Sequence, residues 1–139
     1  MTVQSPTTMH SSIEHFMTPN PHCIGREQSL AAAHERMRAL GVRHLPVLSA
    51  GKLVGIVSQR DLLFVETLRD AEPAGVRVDE AMSADVYTVP PERPIGEVAA
   101  RMLERKFGCA VVVRHGAVVG IFTTTDALRT LMNIVDAWR

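Results

Sequence analysis

The sequence predicts an α+β fold made of two tandem β-α-β-β-α repeats, packed with pseudo-two-fold symmetry. The chain aligns with itself at an offset of 65 residues, and strand and helix patterns alternate in the same order in each copy. One copy alone is too short to bury the face of a sheet. We therefore divide the 139 residues into a flexible N-terminal tail (1–12), a first repeat (13–70), a linker (71–75) and a second repeat (76–139).

The internal repeat is the strongest of these observations. Residues 17–63 align with residues 82–128 without a gap, and eleven positions are identical, where average residue usage gives about three by chance. The identical pairs are Met17/Met82, Glu27/Glu92, Arg36/Arg101, Met37/Met102, Val47/Val112, Gly51/Gly116, Val54/Val119, Gly55/Gly120, Ile56/Ile121, Asp61/Asp126 and Leu63/Leu128. This degree of identity indicates a duplication.

The first repeat begins with a short strand and a helix. We expect Ser29 to cap the N-terminus of this helix and Gly41 to take the left-handed position after its end. Its apolar stripe is formed by Leu30, Ala33, Met37 and Leu40. The expected elements are a strand at 22–24, this helix, a hairpin of strands at 44–48 and 53–57 with its turn at 49–51, and a helix from about 60 to 70.

The second repeat shows the same order. Pro94 suits the first position of its first helix, whose stripe is Ile95, Val98, Ala99 and Met102. The expected elements are a strand at 86–89, this helix, a hairpin of strands at 110–114 and 118–122 with its turn at 115–116, and a helix from about 125 to 138. Pro73 and Gly75 in the linker separate the two repeats.

Composition argues against several classes of protein. Lys plus Arg and Asp plus Glu number 15 each, so the basic excess of a nucleic-acid-binding protein is absent. No apolar run is long enough to span a membrane, and the N-terminus does not resemble a signal peptide. Cys23 and Cys109 are too few for a disulfide scaffold, so we expect two reduced thiols in a cytoplasmic protein.

The sequence also lacks the common signatures of enzymes. It contains no GxGxxG, GxxxxGK[ST], GxSxG or HExxH motif. The six histidines do not have zinc-site spacing, and the carboxylates do not suggest a tuned acid–base pair. We therefore expect neither an enzyme nor a metal site, and no required cofactor.

One chemical motif is present in both copies. Residues 55–61 and 120–126 each lead from a buried strand into an [ST]-x-x-D sequence at a helix start. The pattern fits a capping box, in which the hydroxyl and the carboxylate bond the first backbone amides of the helix. It also fits a ligand site, in which the carboxylate accepts ribose hydroxyls and the helix start favours phosphate. One carboxylate can serve both purposes.

These motifs resemble those of the cystathionine-β-synthase (CBS) domain family. Met17-Thr18-Pro19 and the segments 41–47 and 55–61 resemble one CBS domain, and Met82-Ser83 with the segments 107–113 and 120–126 resembles a second. The resemblance covers roughly residues 10 to 138. It implies a tandem pair, or Bateman module, here standing alone, which binds adenosine-containing ligands such as AMP, ADP, ATP or S-adenosylmethionine in the cleft between the repeats.

The resemblance also implies roles for particular residues. Asp61 with Ser58, and Asp126 with Thr123, would hold the ribose at two sites. Arg43 and His44 stand where the family often places cationic phosphate ligands, although Arg43 equally fits a solvated arginine and His44 fits better as a residue packed at the strand edge. The base contacts would come from Cys23, Ile24, Leu45 and Pro46 in the first repeat, and from Thr88, Val89, Ala110 and Val111 in the second.

The second repeat departs from this pattern. Gly108 and Cys109 replace Arg43 and His44, and Val111 replaces Pro46. The two sites are therefore expected to differ, with one ligand rather than two, or one nucleotide and one degenerate cleft.

The final helix of each repeat suggests a partner surface. We expect Leu128 and Leu131 to face their own sheet, whereas Met132, Val135 and Trp138 fit a dimer patch. The resemblance implies a homodimer through helices that include 62–68 and 128–138. The sequence thus predicts a regulatory module that passes a ligand signal to an unknown protein partner, without nucleic acid or membrane. The alternative is a structural or dimerisation module with weak or no nucleotide binding.

Overall fold

A computed structural model describes residues 10–138 of the chain. These residues form two compact units, one of residues 22–86 and the other of residues 10–21 together with 87–138. The helices are α1 (Leu30–Leu40), α2 (Gln59–Arg69), α3 (Ile95–Arg105) and α4 (Thr124–Ala137). The strands are β1 (Thr18–Pro19), β2 (Ile24–Gly25), β3 (His44–Ser49), β4 (Lys52–Ser58), β5 (Thr88–Val89), β6 (Cys109–Arg114) and β7 (Ala117–Thr123).

Each unit contains one mixed sheet. In the unit of residues 22–86 the strand order is β2-β3-β4, with β2 parallel and β4 antiparallel to β3. In the other unit the order is β1-β7-β6-β5, with β5 parallel and β7 antiparallel to β6. The predicted α+β class and the order of the repeated elements are confirmed.

The local signals identify most element ends. Ser29 accepts a hydrogen bond from the Ala32 amide at the start of α1, and Gly41 is left-handed after its end (φ 68°), as predicted. The predicted hairpin turns are confirmed by positive φ angles at Ala50 and Gly51, and at His115 and Gly116. The first strands of the two repeats are shorter than predicted, with two residues each.

Three details of the first helices differ from the prediction. Pro94 is the N-cap residue that precedes α3 and not the first residue of the helix, which is Ile95. Leu40 and Ala99 were assigned to the apolar stripes but are exposed. Leu40 is the last residue of its helix, where the core ends, and Ala99 adjoins Val98, which holds the buried position in that turn.

The segment at the start of each predicted repeat belongs to the unit that holds the rest of the other repeat. Thr18 and Pro19 pair with Ile121 and Gly120 of β7. In the unit of residues 22–86, Ser83 exchanges backbone hydrogen bonds with Ile56 in β4, both of 2.9 Å. Residues 1–9 of the expected tail lie outside the described residues, and Ser12 forms a bridge with Pro94.

Each unit has its own cluster of buried apolar side chains. The cluster of residues 22–86 includes Ile24, Leu30, Leu45 and Leu62. The cluster of the other unit includes Ile13, Val98, Val112 and Phe122. Ile13 and Val78, which lie 65 positions apart, are both fully buried in the exchanged segments, so these segments are part of the cores.

Candidate functional site

The corner between β4 and α2 is a reciprocal capping box. The Ser58 amide donates to Asp61 Oδ2 at 2.9 Å, and the Asp61 amide donates to Ser58 Oγ at 3.1 Å. Asp61 sits at the third position of α2, and Ser58 ends β4 in extended conformation. The capping interpretation of the motif is therefore confirmed, and Asp61 is held in a fixed orientation.

Only one oxygen of the Asp61 carboxylate is used in this way. Within residues 10–138, Asp61 Oδ1 accepts no hydrogen bond, and the residue is partly exposed. Asp61 can therefore cap α2 and still accept a hydroxyl donor from outside the chain.

Arg43 and His44 lie beside this carboxylate. The Arg43 carbonyl accepts a 2.9 Å hydrogen bond from the Gln59 amide, so its backbone is tied to the first residue of α2. Its side chain is exposed and forms no ion pair with any residue from 10 to 138. His44 is paired with Ser58 in the β3–β4 register. Burial lowers the pKa of His44, the Asp61 charge opposes that effect, and the Arg43 charge adds to it.

The expected base-contact residues of the first repeat converge on the same end of the sheet. Ile24 pairs with Val47 in the parallel β2–β3 ladder, so Cys23 and the first residues of β3 lie at the same end of the sheet. Ile24, Leu45 and Pro46 are buried, so these three can offer a ligand mainly their backbone groups. The Cys23 carbonyl already accepts a 2.6 Å hydrogen bond from Arg36, and burial raises the pKa of the Cys23 thiol.

The corner between β7 and α4 has the same capping box in a different environment. The Thr123 amide donates to Asp126 Oδ2 at 2.9 Å, and the Asp126 amide donates to Thr123 Oγ1 at 3.2 Å. The Thr123 hydroxyl also donates to Oδ2, at 3.1 Å. Asp126 is only 4% exposed and is the one buried charged residue among residues 10–138.

Two further residues occupy the second oxygen of Asp126. Oδ1 accepts hydrogen bonds from the Thr18 hydroxyl at 3.0 Å and from Arg129 Nη1 at 2.8 Å. Sequence reasoning missed both partners. Arg129 could have been found from its i,i+3 spacing after Asp126, but Thr18 is 108 residues away and only the exchanged segment brings it there.

The remaining expected residues of the second repeat also lie in that unit. Thr88 is exposed, whereas Val89, Ala110 and Val111 are almost fully buried. The Gly108 carbonyl accepts a 3.3 Å hydrogen bond from the Thr124 amide, equivalent to the Arg43–Gln59 contact. The fold thus repeats the backbone of the corner without its cation.

Cys109, the counterpart of His44, is a buried thiol. Burial raises its pKa to about 12, so almost none of it is thiolate at pH 8. We expect the native protein to show one slowly reacting thiol, Cys23, with a disulfide reagent at pH 8, and both thiols after unfolding in guanidinium. Rapid labelling of native Cys23→Ser protein would contradict this assignment.

The expected helix faces are largely exposed. Leu63, Phe64 and Leu68 on α2 are exposed, although Leu62 is fully buried. On α4, Leu128 and Leu131 are 63% and 55% exposed, so their expected core positions are wrong. The correction follows from the helix orientation, since Asp126 is the only buried residue of α4. The exposed residues of α4 are Leu128, Leu131, Met132 and Val135, and Trp138 at its end is also exposed.

No group of three or more His, Cys, Asp or Glu side chains within residues 10–138 is placed to hold a metal ion. None of the helices there combines the length and apolar character needed to cross a membrane.

Comparison with known proteins places these features in a family. The family model for the CBS domain matches residues 13–67 and 78–133. A solved structure from Vibrio cholerae, described as an acetoin utilization protein, is 36% identical, with a TM-score of 0.81 over 90% of this chain and 93% of that chain. The structure of CBSX2 in complex with AMP is 30% identical, with a TM-score of 0.74 over 89% of this chain and 98% of that chain.

A curated relative places a similar segment inside a larger protein. The inosine-5'-monophosphate dehydrogenase of Korarchaeum cryptofilum is 33% identical over 114 residues, which are 81% of this chain but 23% of the dehydrogenase. The repeat, the paired capping boxes and the family match agree. The chain belongs to the CBS-domain family and carries two CBS domains in tandem.

Proposed function

We propose that the chain is a regulatory module that binds an adenosine-containing ligand of the AMP, ADP or ATP class at the corner of β4 and α2. The observation that carries this proposal is the Asp61 carboxylate, which is fixed by the capping box through Oδ2 while Oδ1 remains available. The AMP complex of CBSX2, at 30% identity, supports the ligand class.

The chemistry of the corner suits a nucleotide. Asp61 Oδ1 can accept hydrogen bonds from ribose hydroxyls, and a charged acceptor makes such bonds stronger than neutral ones. The exposed Arg43 guanidinium can bind phosphate in a bidentate manner. The N-terminus of α2, which begins at Gln59, adds a favourable potential for an anion. Because S-adenosylmethionine carries a sulfonium cation and no phosphate, Arg43 favours the nucleotides over it.

A ligand at this corner would act directly on α2. The first turn of α2 carries Asp61. Glu66, farther along α2, contacts α1, since its Oε2 lies 2.5 Å from His34 Nε2. A ligand that binds one arrangement of these helices better than another shifts the population between them. The exposed side chains Leu63, Phe64 and Leu68 would present that change to a partner.

The same apolar faces support a homodimer through residues 62–68 and 128–138. Exposed clusters of large apolar side chains mark interaction surfaces. Light scattering should give twice the mass of the chain for the wild type, and Leu68→Glu with Met132→Glu should shift the mass toward the monomer. A wild-type monomer at high concentration would refute the dimer.

The ligand proposal is tested by calorimetry with AMP, ADP, ATP and S-adenosylmethionine, and with adenosine as a control that lacks phosphate, on protein freed of bound ligand. We expect Asp61→Asn to weaken nucleotide binding about tenfold or more, the value of one charge-assisted hydrogen bond. Arg43→Ala should weaken ATP binding more than adenosine binding, whereas Arg38→Ala, which removes an exposed arginine on α1, should change neither.

The second candidate is a structural or dimerisation module with weak or no nucleotide binding. The absence of an Arg43 counterpart in the second repeat, where Gly108 takes its place, and the exposed faces of α2 and α4 favour it. No binding of any of the four ligands, with dimerisation intact, would select this candidate.

A further inference from the structure

The two ribose-type carboxylates differ in how many donors the chain itself supplies. Among residues 10–138, the Asp61 carboxylate accepts one hydrogen bond, from the Ser58 backbone amide to Oδ2. Asp126 receives four, two on each oxygen. The second carboxylate is therefore already coordinated by the protein.

The difference can be traced to two pairs of equivalent positions. Arg129 corresponds to Phe64, which has no donor and is exposed. Thr18 corresponds to Ser83, whose Oγ accepts a hydrogen bond from the Asp85 amide and forms no hydrogen bond with Asp61. The pairing of Thr18 with Ile121 is matched by the bridge between Ser83 and Ile56, so the change of side chain accounts for the different hydrogen bonds.

Occupation of Asp126 has a direct consequence for a ligand. A ribose hydroxyl could reach Oδ1 only by displacing the Thr18 hydroxyl and the Arg129 guanidinium. The carboxylate is 4% exposed, so water does little to compensate for lost partners, whereas the Arg129 side chain is 62% exposed and free to leave. A ligand could therefore displace the Arg129 guanidinium more easily than the Thr18 hydroxyl.

We propose that Arg129, together with Thr18, acts as an internal ligand of Asp126 that closes the second corner, and that the Phe64/Arg129 and Ser83/Thr18 differences together limit the chain to one bound nucleotide. This inference rests on the proposed function for its readout in ligand number, but the closure itself does not depend on it. It assigns to Arg129 and Thr18 the control of stoichiometry.

The experiment exchanges the two side chains. The wild type should bind one adenosine or AMP per chain by calorimetry. Arg129→Phe combined with Thr18→Val should add a second binding event, which Asp126→Asn in the same background removes. Adenosine is included because the loss of the Arg129 charge would itself weaken the binding of an anionic ligand.

The reciprocal variant tests the first corner. Phe64→Arg should place a guanidinium on Asp61 with the i,i+3 geometry seen at Asp126 and weaken adenosine binding about tenfold. Phe64→Gln is the matched control, since it removes the ring without adding a charge, and should bind as the wild type does. In the Arg129→Phe background, Thr18→Ser keeps a hydroxyl at position 18, and it should bind the same number of ligands as Arg129→Phe alone.

The outcomes separate the two proposals. Two binding events in the wild type, or a single event in Arg129→Phe/Thr18→Val, would overturn the closure. If the wild type binds no ligand, the proposed function fails, and the closure is judged by NMR of the arginine side chains. A held Arg129 should give resolved, slowly rotating Nη signals that disappear in Asp126→Asn, and a freely rotating Arg129 would overturn the inference.

Discussion

Asp126→Ala is expected to lower the free energy of unfolding by about 2–4 kcal/mol, from the loss of a helix cap and of buried hydrogen bonds. The carboxylate is 4% exposed and accepts from the Thr123 amide and hydroxyl, Thr18 and Arg129. Its removal leaves the Thr18 and Thr123 donors short of acceptors in a partly buried place. The exposed Arg129 adds little, because solvent screens its ion pair.

The matched control is Asp61→Ala, which removes the same residue from the other copy. Asp61 is partly exposed and serves only the cap, so we expect a loss of about 1 kcal/mol. Both values can be measured by urea unfolding at neutral pH, provided that the denaturant dependence is unchanged. Equal losses in the two variants would show that the additional partners of Asp126 do not contribute.

Gly55→Ala is expected to cost about 1–3 kcal/mol, the range for a side chain forced into a filled space. A Cβ at position 55 would lie 2.5 Å from the Met82 sulfur and 2.9 Å from the Ser83 carbonyl oxygen. The methionine can move, but the carbonyl is held by its 2.9 Å hydrogen bond from the Ile56 amide. The substitution therefore pushes the exchanged segment away from β4.

Two other glycines provide the comparison. Gly120→Ala should cost less than Gly55→Ala, because the three nearest atoms all belong to the flexible Met17 side chain. Gly75→Ala has no neighbour within 4 Å and should change the stability by less than about 1 kcal/mol. A larger loss for Gly120→Ala than for Gly55→Ala in thermal or urea unfolding would contradict this explanation.

The close approach at these glycines also gives a reason for identities within the repeat. Gly55 and Gly120 are identical, as are Met17 and Met82, and each methionine packs on the glycine of the other repeat. Both identical pairs are visible in the sequence. Their contacts are not, since a spacing of 65 residues does not indicate which methionine packs on which glycine.

The duplication, the order of the elements and the caps at Ser29, Ser58 and Thr123 could all be predicted from the amino-acid sequence. The caps and the helix stripes depend on residues three or four positions apart, and the duplication depends on direct comparison of the chain with itself, so neither requires knowledge of the fold. The exchange of the segments at the start of each repeat, the exposure of Leu128 and Leu131, and the difference between Asp61 and Asp126 became visible only in the three-dimensional fold. Those properties depend on contacts such as Thr18 with Asp126, which are separated by 108 residues and brought together by sheet pairing.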